Sequence, residues 1–303
     1  MKKLILLIIC FFPALGMAHV CGVKDKSLCD SVEKGNSEAL VKLGVMYSKG
    51  RGVKQDLHRA AELYQKAADQ GYAKAQFNLA YLYQEGSGVK QNLQKAIELY
   101  QKAADQGYAK AQFNLAYLYQ EGTGVKQNLQ KAIELYQKAA SQGLASAQSN
   151  LGVMYGKGIG IKKDSLKEID LYQKAAAQGY AEAQFNLGML YFEGKSVKQD
   201  YQKSFELFKD SAEQGLAASQ FNLATLYLEG KGVNQDYHKA FEWYQRAAAQ
   251  KDAGALFNLA KMYGLGMGVD KDMNKAKFYF VESCSKGVKS ACDISKKLGG
   301  AGI

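Results

Sequence analysis

The sequence predicts an all-α solenoid of about seven repeats, and three observations lead to this fold class. Blocks of 36 residues follow one another over residues 36–287, and a half block, 288–303, comes after them. Two neighbouring blocks, 72–107 and 108–143, differ at two positions only. The only proline among the 303 residues is Pro13, which suits an array of short helices. A fixed period of this length indicates units that each pack on their neighbours.

Residues 1–18 are predicted to be a secretory signal peptide. Lys2 and Lys3 precede the apolar run Leu4–Phe12, and small residues lead up to Ala18, where we expect cleavage. The apolar run is too short for a permanent membrane helix, and no second run follows, so no membrane span is expected. The predicted location is therefore the periplasm or the outside of the cell.

The charge of the chain restricts the class of partner. The formal net charge is +11, and two of these charges belong to the predicted signal peptide. The other lysines are spread along the repeats without a dense basic run, which is typical of a solvated surface. The alternative is attraction to an acidic partner or to a polymer of the cell envelope. Nucleic acid is not expected as a partner of an exported protein.

The first helix of each repeat is predicted from apolar residues that recur one turn apart. In the block 36–71 these residues are Ala39, Leu43 and Tyr47, the stripe of an amphipathic helix. Gly50 follows, and glycine readily adopts the left-handed conformation in which helices end. A short loop therefore separates this helix from the next.

The second helix of each repeat is predicted to begin at an Asp or Asn that accepts hydrogen bonds from the first-turn amides. Such a cap contributes roughly 1 kcal/mol. The seven predicted caps are Asp56, Asn92, Asn128, Asp164, Asp200, Asp236 and Asp272. Further along, the small pair Ala67 and Ala68 is expected to let neighbouring helices approach closely, and Gly71 ends the repeat.

These patterns resemble the Sel1-like repeat, a relative of the tetratricopeptide repeat. The resemblance covers roughly residues 30–300 and is carried in the first block by Leu43-Gly44-x-x-Tyr47, Gly50-x-Gly52-Val53, Asp56 and Ala67-Ala68-x-x-Gly71. It implies a right-handed αα-solenoid whose first helices line a concave groove. The predicted organisation is a signal peptide (1–18), an N-terminal cap (19–35), seven repeats (36–287) and a terminal half repeat (288–303).

Four cysteines remain after the predicted cleavage: Cys21, Cys29, Cys284 and Cys292. An even number in an exported chain indicates disulfide bonds. The two pairs lie at opposite ends of the array, and a disulfide requires Cα atoms within about 7 Å. The expected bonds are therefore Cys21–Cys29 and Cys284–Cys292, and the alternative is four reduced thiols. The second placement resembles the exported Helicobacter cysteine-rich proteins, in which every repeat carries such a bond.

A second stripe on the first helices is the predicted partner-binding surface. Its members are Phe77, Tyr81, Gln84, Phe113, Tyr117, Gln120, Phe185, Met189, Phe192, Phe221 and Leu228. By resemblance to tetratricopeptide-like arrays, the stripe faces the groove, where aromatic side chains can anchor a peptide. The alternative is that it packs against the neighbouring repeat. Tyr81, Tyr117 and Met189 are the stronger candidates for ligand contact because their position varies between repeats.

Asparagines recur one residue before the core leucine of the first helices. They are Asn78, Asn114, Asn150, Asn186, Asn222 and Asn258. Their amides are expected to bond a neighbouring loop or the backbone of a bound peptide.

Catalysis has weaker support in the sequence. His19, His58 and His238 are too scattered for a metal site, and no metal or cofactor is predicted. Ser31-x-x-Lys34 and Ser283-x-x-Lys286 match the short motif of penicillin-binding proteins and β-lactamases, activities described for the Helicobacter relatives. No supporting Ser-Asp-Asn or Lys-Thr-Gly motif follows.

We therefore predict an exported, non-catalytic adaptor that holds a peptide or protein of the bacterial envelope or of a host. The alternative is a protein that binds penicillin, with weak β-lactamase activity, or one that binds peptidoglycan as a cell-wall glycan.

Overall fold

The computed structural model describes residues 21–300, and the prediction of an all-α solenoid is confirmed there. The regular structure of these residues consists of sixteen helices and no strand. They are α1 (Lys26–Glu33), α2 (Ser37–Lys49), α3 (Leu57–Asp69), α4 (Ala73–Glu85), α5 (Leu93–Asp105), α6 (Ala109–Glu121), α7 (Leu129–Ser141), α8 (Ala145–Lys157), α9 (Ser165–Ala177), α10 (Ala181–Glu193), α11 (Tyr201–Glu213), α12 (Ala217–Glu229), α13 (Tyr237–Ala249), α14 (Ala253–Leu265), α15 (Met273–Ser285) and α16 (Lys289–Gly300). The predicted signal peptide lies outside the described residues.

The helices fall into two compact units. The first unit, Met1–Gln127, contains α1–α6, and the second unit, Asn128–Ile303, contains α7–α16. Within each unit a helix packs on the helix before it and on the helix after it, as α3 does with α2 and α4. Contacts are therefore made between neighbours in the chain, as expected of a repeat array.

Small residues at the helix contacts allow this packing. Ala67 and Ala75, on consecutive helices, have no exposed surface. Gly44 in α2 faces Tyr64 of α3, and a Cβ atom at this glycine would lie 2.5 Å from Tyr64 Cε1. Gly152 leaves the same space for Tyr172 in the second unit. The aromatic ring of the second helix thus lies directly against the backbone of the first.

All seven predicted caps of the second helices are confirmed. In each case the side-chain oxygen accepts a hydrogen bond from the amide three residues later, as Asp56 Oδ1 does from Arg59 N at 2.9 Å. The first helices end as expected at a left-handed glycine, such as Gly50 with φ of 65°. Sequence pattern and helix boundaries therefore agree at both ends of the repeat unit.

In the loop after α6, the second glycine has a packing role that its sequence position does not reveal. Gly124 has φ of +70°, and a Cβ atom there would lie 2.9 Å from Leu93 Cβ and 3.1 Å from Ile97 Cδ1 of α5. By contrast, Gly107 also has a positive φ, +84°, but has no atom within 4 Å of the Cβ position. The loop therefore rests on the second helix of the preceding repeat at Gly124.

This difference predicts unequal costs for two glycine substitutions. Gly107→Ala should lower the free energy of unfolding by about 1–2 kcal/mol, the cost of a left-handed L-residue. Gly124→Ala should lower it by roughly 1–3 kcal/mol more, because the methyl group also meets α5. Urea unfolding of the two variants measures both values. Equal losses would contradict the packing role of Gly124.

Candidate functional site

The first unit carries a pocket of about 420 Å³ on its first helices, the α2–α4 pocket. Its wall is formed by α2 and α4, with additional residues from α3, from the loop after α4 and from the start of α6. The lining includes Lys49, Lys74, Phe77, Asn78, Tyr81 and Lys110. Two members of the predicted stripe, Phe77 and Tyr81, thus line one cavity.

The phenylalanines of the stripe pack within the protein. The Phe77 ring lies 5.8 Å from the Tyr100 ring and 5.3 Å from that of Tyr108, the residue that precedes α6. In the second unit the corresponding pairs are Phe185–Phe208 at 5.9 Å and Phe221–Tyr244 at 5.6 Å. Phe113 is half-buried as well. These phenylalanines therefore pack against other side chains of the protein, as the alternative interpretation of the stripe expects. Phe77 also borders the α2–α4 pocket.

Tyr81 and Tyr117 behave differently from the phenylalanines one turn before them. Their side chains remain 48% and 47% exposed. In the second unit Met189, Phe192 and Leu228 are half-buried and pack against the core of that unit. The stripe that the sequence presents as one surface is thus open to solvent mainly at its two tyrosines.

The glutamines of the stripe are held by neighbouring side chains. Gln84 Oε1 accepts a hydrogen bond from the Tyr100 hydroxyl at 3.0 Å. Gln120 Nε2 donates to Glu121 Oε1 at 2.9 Å. Both side chains are half-buried. Both glutamine side chains thus use a polar atom in a hydrogen bond within the protein, and these bonds hold the ends of the first helices in place.

Three of the recurring asparagines bond the protein itself, and none of these bonds goes to a neighbouring loop. Asn114 Nδ2 donates to the Tyr100 hydroxyl at 3.0 Å, and Asn150 Nδ2 donates to the Tyr136 hydroxyl at 3.2 Å. Each asparagine thus reaches the second helix of the preceding repeat. Where Phe208 replaces this tyrosine, Asn222 Nδ2 instead donates to Ala218 O of its own helix. The expected bond to a neighbouring loop is therefore wrong at these three positions, and the contact with the backbone of a bound peptide stays a prediction.

Burial changes the acidity of these tyrosines. Loss of hydration raises the pKa of Tyr64 and of Tyr244 to about 12, and hydrogen bonds from Ser48 to Tyr64 and from Thr225 to Tyr244 oppose part of this rise. The pKa of Tyr100 is raised in the same direction, mainly by burial. The hydroxyls therefore stay neutral and available for hydrogen bonds over the physiological range.

Buried glutamines form a second polar connection that the sequence analysis missed. Gln76 Oε1 accepts from Gln106 Nε2 at 2.8 Å, and Gln112 Nε2 donates to Ala104 O of the preceding repeat at 3.1 Å. A glutamine at a fixed position among the apolar residues of the first helix was the available signal. The last repeat has Leu256 at the position of Gln220.

Both predicted cysteine pairs lie at disulfide distance. The Cα atoms are 5.6 Å apart for Cys21 and Cys29, and 4.6 Å apart for Cys284 and Cys292. Cys284 and Cys292 occupy the positions that Ala104 and Gln112 hold five 36-residue periods earlier in the array. A covalent bond thus replaces the inter-repeat hydrogen bond at the C-terminal end.

The N-terminal cysteine pair is joined to the array by a hydrogen bond. The Tyr47 hydroxyl in α2 donates to Cys21 O at 2.9 Å, and Cys21 itself is buried. Val23 and Leu28 are buried in the same hydrophobic cluster as Cys21 and the apolar residues of α2 and α3. The segment before α2 therefore covers the apolar end of the first repeat.

The two Ser-x-x-Lys motifs have different environments. Ser283 is fully buried, and its hydroxyl donates to Ala253 O at 2.9 Å, so a substrate cannot reach it in this conformation. Ser31 Oγ donates to Ser27 O of its own helix at 2.9 Å.

Over residues 21–300 there is no group of three or more His, Cys, Asp or Glu side chains that could hold a metal. No helix in this range is long and apolar enough to cross a membrane.

Helix pairs that repeat every 36 residues, each bonded to the pair before it, define an αα-solenoid of the tetratricopeptide-like class. Seven consecutive segments match the Sel1 repeat: 37–72, 73–108, 109–144, 145–180, 181–216, 217–252 and 253–288. The chain belongs to the Sel1 repeat family.

Solved structures of the same family are similar to this chain. A protective antigen present in uropathogenic Escherichia coli strains shares 33% identity with a TM-score of 0.83, over 91% of this chain and 59% of that one. This chain therefore spans 59% of the length of the E. coli protein. A Sel1 repeat protein from Oxalobacter formigenes shares 33% identity with a TM-score of 0.71, over 89% of this chain and 78% of that one.

A further similar structure is the cysteine rich protein B of Helicobacter pylori. It shares 26% identity with a TM-score of 0.36, over 44% of this chain and 95% of that one. No curated protein matches the chain in a comparison of sequences.

Removal of the C-terminal disulfide should loosen the end of the array. For Cys284→Ser/Cys292→Ser we expect a loss of about 2–3 kcal/mol in local stability, because the open chain gains conformational freedom. Hydrogen exchange of α15 and α16 amides should accelerate, while that of α8 stays unchanged. Uniform acceleration along the chain, or none, would contradict a local role.

The buried tyrosines predict a loss of stability in alkali. Their folded-state pKa of about 12 exceeds the ordinary 10.0, so their contribution is complete below pH 10 and is lost as the pH rises towards 12. Urea unfolding from pH 8 to pH 12 measures this dependence. Tyr244→Phe should reduce it, and the exposed control Tyr237→Phe should not. An identical pH dependence in both variants would contradict the assignment to Tyr244.

Proposed function

We propose that this protein is a non-catalytic adaptor that binds a peptide or protein segment along the first helices of its first unit. The observation that carries the proposal is the exposure of Tyr81 and Tyr117, whose side chains are 48% and 47% accessible while the neighbouring phenylalanines are packed. Repeat solenoids of this family commonly serve protein interaction, which supports the proposal.

The two tyrosines are suited to anchor a partner. A tyrosine ring buries a large area while few rotatable bonds are fixed, and its hydroxyl can still bond polar groups. Tyr81 and Tyr117 stand on helices that the packed Phe77 and the Gln84–Tyr100–Asn114 hydrogen bonds hold in place. A rigid support of this kind lowers the ordering cost of binding.

The proposed location is the periplasm or the outside of the cell. The two cysteine pairs at disulfide distance are typical of an oxidising compartment. The apolar run near the N-terminus supports export, with cleavage after Ala18. The partner would accordingly be a protein of the bacterial envelope or of a host.

Truncation of the two exposed tyrosines tests the adaptor function. Tyr81→Ala/Tyr117→Ala should weaken partner binding at least tenfold, about 1.4 kcal/mol or more, because the aromatic anchors are lost. The measurement is crosslinked affinity capture from whole cells, followed by titration of the captured partner. Circular dichroism checks that the variant is folded.

Tyr237→Ala is the matched control, since this tyrosine is also exposed but begins the second helix α13. It should retain the partner. If the double variant captures the same partner with unchanged affinity, the first-helix tyrosines are not the site. Capture of peptidoglycan instead of a protein would point to a glycan-binding role.

A further inference from the structure

Three lysines line the α2–α4 pocket: Lys49 at the end of α2, Lys74 in the first turn of α4 and Lys110 in the first turn of α6. Among the described residues none of the three has an ion-pair partner. Lysines elsewhere do form such pairs, as Lys203 does with Asp200 and Lys239 with Asp236. The positive charge around the pocket is therefore not compensated by an ion pair within the described residues.

The acidic residues of the first unit do not neutralise this pocket. No Asp or Glu is among the residues that line it. Glu85 follows Tyr81 by one turn but does not line the pocket, and its carboxylate accepts a hydrogen bond from Gln84 Nε2 at 3.1 Å. A cavity lined by one sign of charge focuses the field on its opening and attracts ligands of the opposite sign.

The lysines are a local feature and not a property of every repeat. The positions equivalent to Lys74 and Lys110 in the four later repeats hold Ser146, Glu182, Ala218 and Gly254. The position equivalent to Lys49 is mostly acidic, as at Glu193 and Glu229. The even spread of charge that the composition indicates is therefore interrupted at this pocket.

Between the lysines the pocket surface is apolar and aromatic. Val45, Phe77 and Tyr81 contribute aliphatic and ring surface, and Asn78 and Ser87 supply side chains that can bond a main chain. A polyanion that carries no apolar side chain would use the lysines but gain less from the apolar surface. A peptide with acidic side chains beside an apolar one uses both.

We propose that the α2–α4 pocket binds an acidic peptide segment of the partner. Its carboxylates lie against Lys49, Lys74 and Lys110, and an apolar side chain packs on Phe77 and Tyr81. This inference rests on the proposed adaptor function and specifies the chemistry of its partner. Electrostatic complementarity of this kind determines partner choice and association rate more than total affinity.

Labelled synthetic peptide pools test the proposal by fluorescence anisotropy with the full chain. Every peptide has a fixed Phe or Leu, flanked in one pool by Asp and Glu, in another by Asn and Gln, and in a third by Lys and Arg. We expect the acidic pool to bind about tenfold more tightly than the amide pool, as several partly exposed charge pairs allow. Added salt should reduce this preference.

Charge reversal provides the matched variants. Lys74→Glu/Lys110→Glu should abolish the preference for the acidic pool. Lys102→Glu/Lys138→Glu makes the same change in net charge on the second helices α5 and α7, at two residues that do not line the pocket, and should keep the preference. Equal effects of the two variants would show that only the net charge matters, and the proposed site would be wrong.

The remaining outcomes separate this inference from the adaptor proposal. If the amide pool binds as tightly as the acidic pool and Tyr81→Ala/Tyr117→Ala weakens both, the adaptor site stands and its acidic preference is wrong. If dextran sulfate binds as tightly as the acidic pool, and Tyr81→Ala/Tyr117→Ala leaves both affinities unchanged, the pocket binds polyanions in general and the proposed peptide site is wrong. If no pool binds, both proposals are overturned.

Discussion

The close approach of consecutive helices is the constraint on which the rest of the structure depends. Alanines such as Ala67, Ala75 and Ala103 have no exposed surface, so the helix backbones themselves come into contact. A larger side chain at these positions would separate the helices and break the hydrogen bonds between repeats. The half-buried phenylalanines, the loop glycines and the α2–α4 pocket all take their positions from this spacing.

Polar bonds inside the array select one arrangement of these helices. The Tyr100 hydroxyl connects Gln84 of its own repeat with Asn114 of the next, and Gln112 reaches back to Ala104 O. Buried polar groups are costly unless they are paired, so a shifted packing would lose more than contact area. Ser204 is an exception: its hydroxyl is buried without a hydrogen-bond partner in the described structure, where the equivalent Ala240 needs none.

The sequence was sufficient for the features that depend on neighbours along the chain. The caps at Asp56 and its equivalents, the glycine at Gly50 and the two cysteine pairs follow from short-range rules. The candidate site was harder to predict from the sequence. Periodicity identifies which residues share a face of a helix, but not how much of that face a neighbouring repeat covers. Phe77 and Tyr81 are one turn apart in the same stripe, yet one is packed and the other is open. The partner of Asn114 likewise depends on a hydroxyl fourteen residues away, and the lysines gather at one cavity only after folding.

The constant separation between bonded glutamines has a consequence for how such a chain changes over generations. Gln106 bonds Gln76, Gln178 bonds Gln148 and Gln250 bonds Gln220, each time thirty residues apart. Both glutamines of a pair belong to the same 36-residue block, so recombination that inserts or deletes one complete block leaves each remaining pair intact. An insertion of one residue between two such glutamines would instead change their separation and break that bond. The near-identity of residues 72–107 and 108–143 is the trace that such an insertion leaves. Each added block of this type also brings its own Tyr and Lys, so the gene can lengthen the proposed binding surface in whole steps while the fold stays intact.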